Sequence, residues 1–161
     1  KEKWLHHDTS TWGVSVEVPG ASESWVAIGA LCALEDGQQW RIGVVRRLFH
    51  DSEQHAHAGI EVLAKKPVSV WLRGVGEGAT RAENWATSSG SFAYDYLNVI
   101  LLLVASAPRQ HELLAERGAF ATGVIYEAMV GDNPHYLRFE ELLERGEDFD
   151  RVRFTWLTRR A

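Results

Sequence analysis

Only one cysteine, Cys32, stands among the 161 residues. A lone thiol excludes an internal disulfide and a paired-cysteine metal site. Within the apolar run 28–34 it reads as a small buried hydrophobe. A basic excess is lacking too. The net charge is −5, and neither half of the chain has more Lys and Arg than Asp and Glu. No nucleic-acid polymer or anionic membrane is therefore expected as a partner. No apolar run approaches the roughly 18 residues of a membrane span. The longest, 99–105, suits a core strand. No secretory leader pattern opens the chain, so a cytoplasmic soluble protein is expected. The first residue is Lys1, not a methionine, which leaves a missing upstream segment as one option. Also absent are a Gly-x-Ser-x-Gly elbow, a P-loop and a His-Glu-x-x-His pair. The expectation is a non-enzymatic chain with no cofactor and no metal. There is no low-complexity tract and no repeat.

What is present is a globular composition, 45% hydrophobic, rich in short β-type segments. The first half offers strands at 12–18, 25–34, 40–50, 55–63 and 68–75, where β-branched and aromatic residues are dense. Five such strands predict a small antiparallel barrel or sandwich. The stretch 74–91 holds Gly74, Gly76, Gly78, Ser88, Ser89, Gly90 and Ser91 with few large apolar residues, and reads as a linker or a functional loop. Beyond it, 92–104, 119–130, 136–139 and 149–157 are strand-like. Two short stretches, 110–117 and 139–145, have a basic residue before a terminal glycine, which fits a helix C-terminus. The expected fold is all-β with short helices: a small antiparallel barrel over 1–75, a linker over 76–91 and a second β-rich unit over 92–161. In that second unit Val152, Phe154 and Trp156 fall on one strand face.

The chemistry-bearing pattern is Asp8-x-Ser10-x-x-Gly13, followed by the strand Val14-Ser15-Val16-Glu17-Val18. A carboxylate there can accept both N–H groups of a guanine edge, and a hydroxyl can donate to a phosphate or sugar oxygen. A glycine allows close approach of the backbone to a ligand. The same three residue types also build turns with no ligand.

This pattern resembles the second signature of the PilZ family of bacterial cyclic-di-GMP receptors. Trp40-Arg41-Ile42-Gly43-Val44-Val45-Arg46-Arg47 is similar to that family's Gly-x-Val strand. His57-Ala58-Gly59-Ile60-Glu61-Val62-Leu63 is similar to its closing strand. The resemblance covers residues 1–75. It implies a small β-barrel that binds the dinucleotide on its outer surface and signals through protein contacts. One departure matters. Strong binders of the family carry an Arg-x-x-x-Arg pair before the signature, and no two arginines here are four residues apart. The chain is thus truncated or degenerate, and weak or absent cyclic-di-GMP binding is expected. The alternative is a degenerate interaction module that binds no nucleotide.

The candidate ligand residues are Asp8, Ser10, Trp12, Gly13, Arg46 and Arg47. Trp12 can stack on a base, although such an aromatic is more often core. Arg46 and Arg47 can replace part of the missing cation pair, but strict strand alternation lets only one of them face a given surface. A regular hairpin at 51–54 would pair His50 with His55 and Leu48 with His57. That register would put His50, His55 and His57 on one face, a Zn²⁺-ligand arrangement competing with plain solvated histidines. The acidic run from Glu140 to Asp150 reads as a solvated face. The partner protein and the oligomeric state, a homo-oligomer included, stay open.

Overall fold

The computed structural model describes residues 4–9, 12–75, 96–102, 111–130 and 132–157. The eleven strands are β1 (Leu5–Thr9), β2 (Gly13–Val18), β3 (Leu31–Asp36), β4 (Gln39–His50), β5 (Ala56–Ala64), β6 (Val68–Gly74), β7 (Tyr96–Leu102), β8 (His111–Glu116), β9 (Ile125–Val130), β10 (Asn133–Arg145) and β11 (Phe149–Leu157). One 3₁₀ turn, Gly20–Ser22, completes the elements. The all-β class holds. The chain forms two units: residues 1–67 with 146–149, and residues 68–145 with 150–161. Among the described residues no helix is long and apolar enough to cross a membrane.

Unit 1 is a five-stranded antiparallel sheet in the order β1-β2-β5-β4-β3. β2 alternates as a half-buried strand does, whereas the central strands β4 and β5 bury consecutive residues at 42–45, 56–58 and 62–64. Val14, Val16 and Val18 of β2 pack with Ala56, Ala58, Ile60 and Val62 of β5 and with Val45 of β4 in one apolar cluster. Gly43 lies on this core face. A Cβ there would come within 2.6 Å of an Ile60 methyl, so the glycine lets β4 and β5 close over the core. β3 and β4 join through a two-residue turn with Gly37 at φ 63°, the geometry that favours glycine in tight hairpins. Strand structure begins at Leu31, not near residue 25. Gly29 takes φ 88°, and the Ala30 N–H donates to the Ala27 carbonyl, so 25–30 turns. The segment 146–149 belongs to this unit. The Glu147 N–H donates to the Gly29 carbonyl at 3.0 Å, and the Leu31 N–H donates to Asp148 Oδ1 at 3.0 Å.

The closed barrel is in unit 2, not in the first half. Its six antiparallel strands run β10-β11-β8-β7-β6-β9 and close through β9 against β10. The division therefore falls after Pro67 and not at 75. β6 pairs with β7 and β9, so the 76–91 stretch connects two neighbouring barrel strands and is not a linker between units. Its own residues, with Phe92 and Tyr94, lie outside the described set. The barrel core holds Leu72, Leu113, Ala128, Leu137, Phe139, Val152 and Phe154, with Trp156 packed at its margin. The one-face expectation for Val152, Phe154 and Trp156 is met.

Both stretches read as helical are strands. In β10 the inward residues are Leu137, Phe139 and Leu142, opposite Trp156, Phe154 and Val152. Register shifts after Phe139 and after Leu142 each insert an extra residue. Two bulges stretch the apolar spacing from two to three, which imitates a helix. In β8, Leu113 and Ala115 enter the core, and Arg117-Gly118 is a turn with Gly118 at φ 88°.

Asp150 is the polar anchor of this turn region. It is fully buried, and it accepts from Arg145 Nε at 2.8 Å and Nη2 at 3.1 Å. It also accepts from the Gly118 and Phe120 N–H groups at 3.0 and 3.2 Å. Burial raises its pKa, but the Arg145 fork and the two N–H donors outweigh burial and hold it below the usual range. Asp150→Ala should destabilise the chain by about 3–5 kcal/mol, the cost of breaking a buried charge pair. Phe139→Ala, which removes a ring stacked with Phe120 and tilted against Tyr126, should cost a similar ~3–5 kcal/mol. Urea denaturation measures both, and a loss below 1 kcal/mol in either would contradict the packing described.

Candidate functional site

The site is built on the outer face of the unit 1 sheet, opposite the valine core. The pairing fixes who stands beside whom. On β5, Glu61 is opposite Gly13 of β2 and Val44 of β4. Gly59 is opposite Ser15 and Arg47. On β1, Asp8 is opposite Ser15. Asp8, Ser15, Gly59 and Arg47 are therefore register neighbours in one row across four strands. Ser10 and the side chain of Asp8 lie outside the described residues.

Strict alternation fails between the two arginines. The β4–β5 register shifts between Val45 and Arg47, so Arg46 is the extra residue of a β-bulge. Val45 faces the core with Ile60, and Arg47 is already on the outer face with Gly59. Arg46 also reaches the outer side, where its Nε donates to Glu61 Oε2 at 2.8 Å. Both cations thus share one face, contrary to the expectation from period two. Arg47 is exposed, and its side chain lies against Gly59: a Cβ on that glycine would sit 3.1 Å from Arg47 Nε. Gly59 is what lets the guanidinium lie flat across β5 towards β2. Among the described residues Arg47 has no ion-pair partner.

Trp12 precedes β2 and is 43% exposed, so it is not core. Its carbonyl accepts the Val62 N–H at 2.9 Å, which ties it to the sheet. Lys65 Nζ stands 5.1 Å from the ring centroid, a cation–π distance. Gly13 opens β2 and is partly buried.

The histidine arrangement differs from the regular-hairpin expectation. The Asp51 N–H donates to the His55 carbonyl, and the Gln54 N–H to the Asp51 carbonyl. Gln54 takes φ 66°. The loop is thus three residues, 52–54, and the register becomes His50 with Ala56 and Phe49 with His57. His50 and His57 fall on opposite faces. Among the described residues no cluster of histidines, cysteines and carboxylates is placed to hold a metal ion. Instead His57 is buried, stacks on Phe49 at 5.1 Å and contacts Asp51 Oδ2 through Nε2 at 2.8 Å. Asp51 Oδ1 accepts the Glu53 and His55 N–H groups. The acidic run is likewise structural in part. Glu140 pairs with Arg138, and Glu141 with Arg153. The Cys32 thiol is pushed up to about 11 by burial and then by Asp148, which keeps it protonated and unreactive.

Comparison of the chain with known protein families, curated proteins and solved structures gives no match.

The hairpin carries a pH dependence. The His57 contact, with the His55 N–H, holds the Asp51 carboxyl down at about 2. A carboxyl depressed in the folded state stabilises the fold above its ordinary pKa, and that contribution is lost as pH falls towards the folded value. Amide protection across 50–57 should therefore weaken between about pH 4 and pH 2. Asp51→Asn should flatten that dependence. Protection that is unchanged over this range in the wild type would refute the role given to Asp51.

Proposed function

We propose that unit 1 is a non-enzymatic cyclic-di-GMP receptor of the PilZ type with weak affinity, acting as an adaptor through contacts with a partner protein. The observation that carries this is the bulged arginine pair. Two consecutive guanidiniums on one sheet face supply the planar cations that phosphates and guanine rings favour. Arg47 stands in the row of Asp8, and Arg46 bonds Glu61, which stands opposite Gly13. Gly59 leaves space for the Arg47 side chain, and Trp12, next to Gly13, adds an exposed ring. No Arg-x-x-x-Arg pair stands within the 161 residues, so within them Arg46 and Arg47 are the guanidiniums offered for phosphate contact.

The second reading is an interaction module that binds no nucleotide. It is favoured by Arg46 being already engaged by Glu61 and by Phe49 being exposed on the same face. Titration separates the two. Cyclic-di-GMP should shift the amide resonances of Gly13, Arg47 and Gly59 with a dissociation constant of roughly 10–1000 μM. Arg47→Ala should weaken binding by about 1.5–3 kcal/mol, the value of a hydrogen bond to a charged group. Gly59→Val, which displaces the Arg47 side chain, should weaken it as well. No perturbation up to millimolar ligand would favour the interaction module.

A further inference from the structure

The two arginines of the bulge are not equivalent. Arg47 is exposed without an ion-pair partner among the described residues. Arg46 is bonded to Glu61, with both side chains partly open to solvent at 33% and 47% exposure. Glu61 comes from the central strand β5. Its register neighbour on β2 is Gly13, the glycine of the signature, so no side chain from that position of β2 covers it. Its neighbour on β4, Val44, is apolar and fully buried. The carboxylate therefore stands beside Gly13 and against Arg46, one register row from Arg47.

A carboxylate and a phosphate oxygen make the same charge-assisted contact with a guanidinium. We infer that Glu61 is an affinity-setting residue: it occupies the position on Arg46 that a ligand phosphate needs, and its charge repels that phosphate. The inference rests on the receptor reading above. The exchange is cheap because a solvent-exposed ion pair stabilises the fold by little. Glu61 therefore lowers affinity without closing the site. The same weakness of the pair means that removing its charge leaves the sheet intact.

Glu61→Gln keeps the shape and an acceptor oxygen but removes the charge. The variant should melt close to the wild type. It should bind cyclic-di-GMP about three- to tenfold more tightly, the span expected from removing one exposed ion pair and one like charge. Its affinity should fall more steeply with added salt, since one more cation meets the phosphates. Adding Arg46→Ala to Glu61→Gln should abolish the gain, a result that a merely structural role for Glu61 would not produce.

The arms of the experiment keep this inference and the receptor reading apart. Wild-type binding that depends on Arg47, with no gain in Glu61→Gln, overturns the inference and leaves the reading intact. If cyclic-di-GMP binds neither protein, inorganic pyrophosphate serves as the second probe. Pyrophosphate that shifts the Arg46 and Arg47 Nε resonances in Glu61→Gln but not in the wild type upholds Glu61 as the competitor and removes the dinucleotide reading. No response to either probe in either protein overturns both.

Discussion

Unit 1 depends on one constraint: neither Arg46 nor Arg47 can enter an apolar core. An unpaired guanidinium there would be far too costly. β4 must nevertheless turn Gly43 and Val45 inward before the arginines and set Leu48, itself exposed, opposite the core residue Ala58 after them. Period two cannot satisfy both demands, because Val45 and Leu48 are three residues apart. The bulge at Arg46 resolves the conflict by adding one residue to β4. A slip of one residue would have reversed every side chain beyond it. The same device that protects the valine core thus leaves two cations side by side on the outer face. The electrostatics of the candidate site follow from the packing of the core behind it.

Unit 2 solves its polar problem by full satisfaction. Asp150 is buried with four donors around it, and Arg151 reaches the buried Glu112 at 2.7 Å. Among the described residues no buried side-chain polar atom lacks a hydrogen-bond partner. Such groups are costly when half-satisfied and rigidifying when complete. The two turns that read like helix ends, at Gly118 and Gly146, are therefore fixed by backbone hydrogen bonds and not by helix caps. The Gly118 N–H finds Asp150, and the Gly146 N–H finds the Phe149 carbonyl at 2.8 Å.

The β class was legible in the sequence because alternation and β-branched density are local signals. The strands at 13–18, 39–50, 56–64 and 149–157 nearly coincide with the segments read from composition. Register was not legible. Asp51 looked like a loop residue, yet its backbone closes the ladder with His55 and shifts the pairs from His50 back to Arg47 by one, until the bulge at Arg46 restores the register. Three bulges, at Arg46, after Phe139 and after Leu142, are invisible to any fixed period. Two of them disguised β10 as a helix, and the third hid the arginine pair. Closure of the barrel was illegible for a different reason. The ring β10-β11-β8-β7-β6-β9 needs β6 beside β9, a pairing between residues more than fifty apart, for which a single strand holds no local mark.

The residues that sequence reasoning missed at the candidate site are Gly59 and Glu61. Each carried a weak signal. A glycine in the interior of a central strand costs stability and marks a place where something comes close. Here the close group is the Arg47 side chain. A glutamate between Ile60 and Val62 is ordinary outward-facing alternation, so it looked like solvent cover. Its meaning comes only from the bulge, which turns Arg46 towards it. Under the proposed reading, the bulged arginine pair is the feature that only the strand pairing reveals, and Glu61, bonded to Arg46, is its counterweight on the same face.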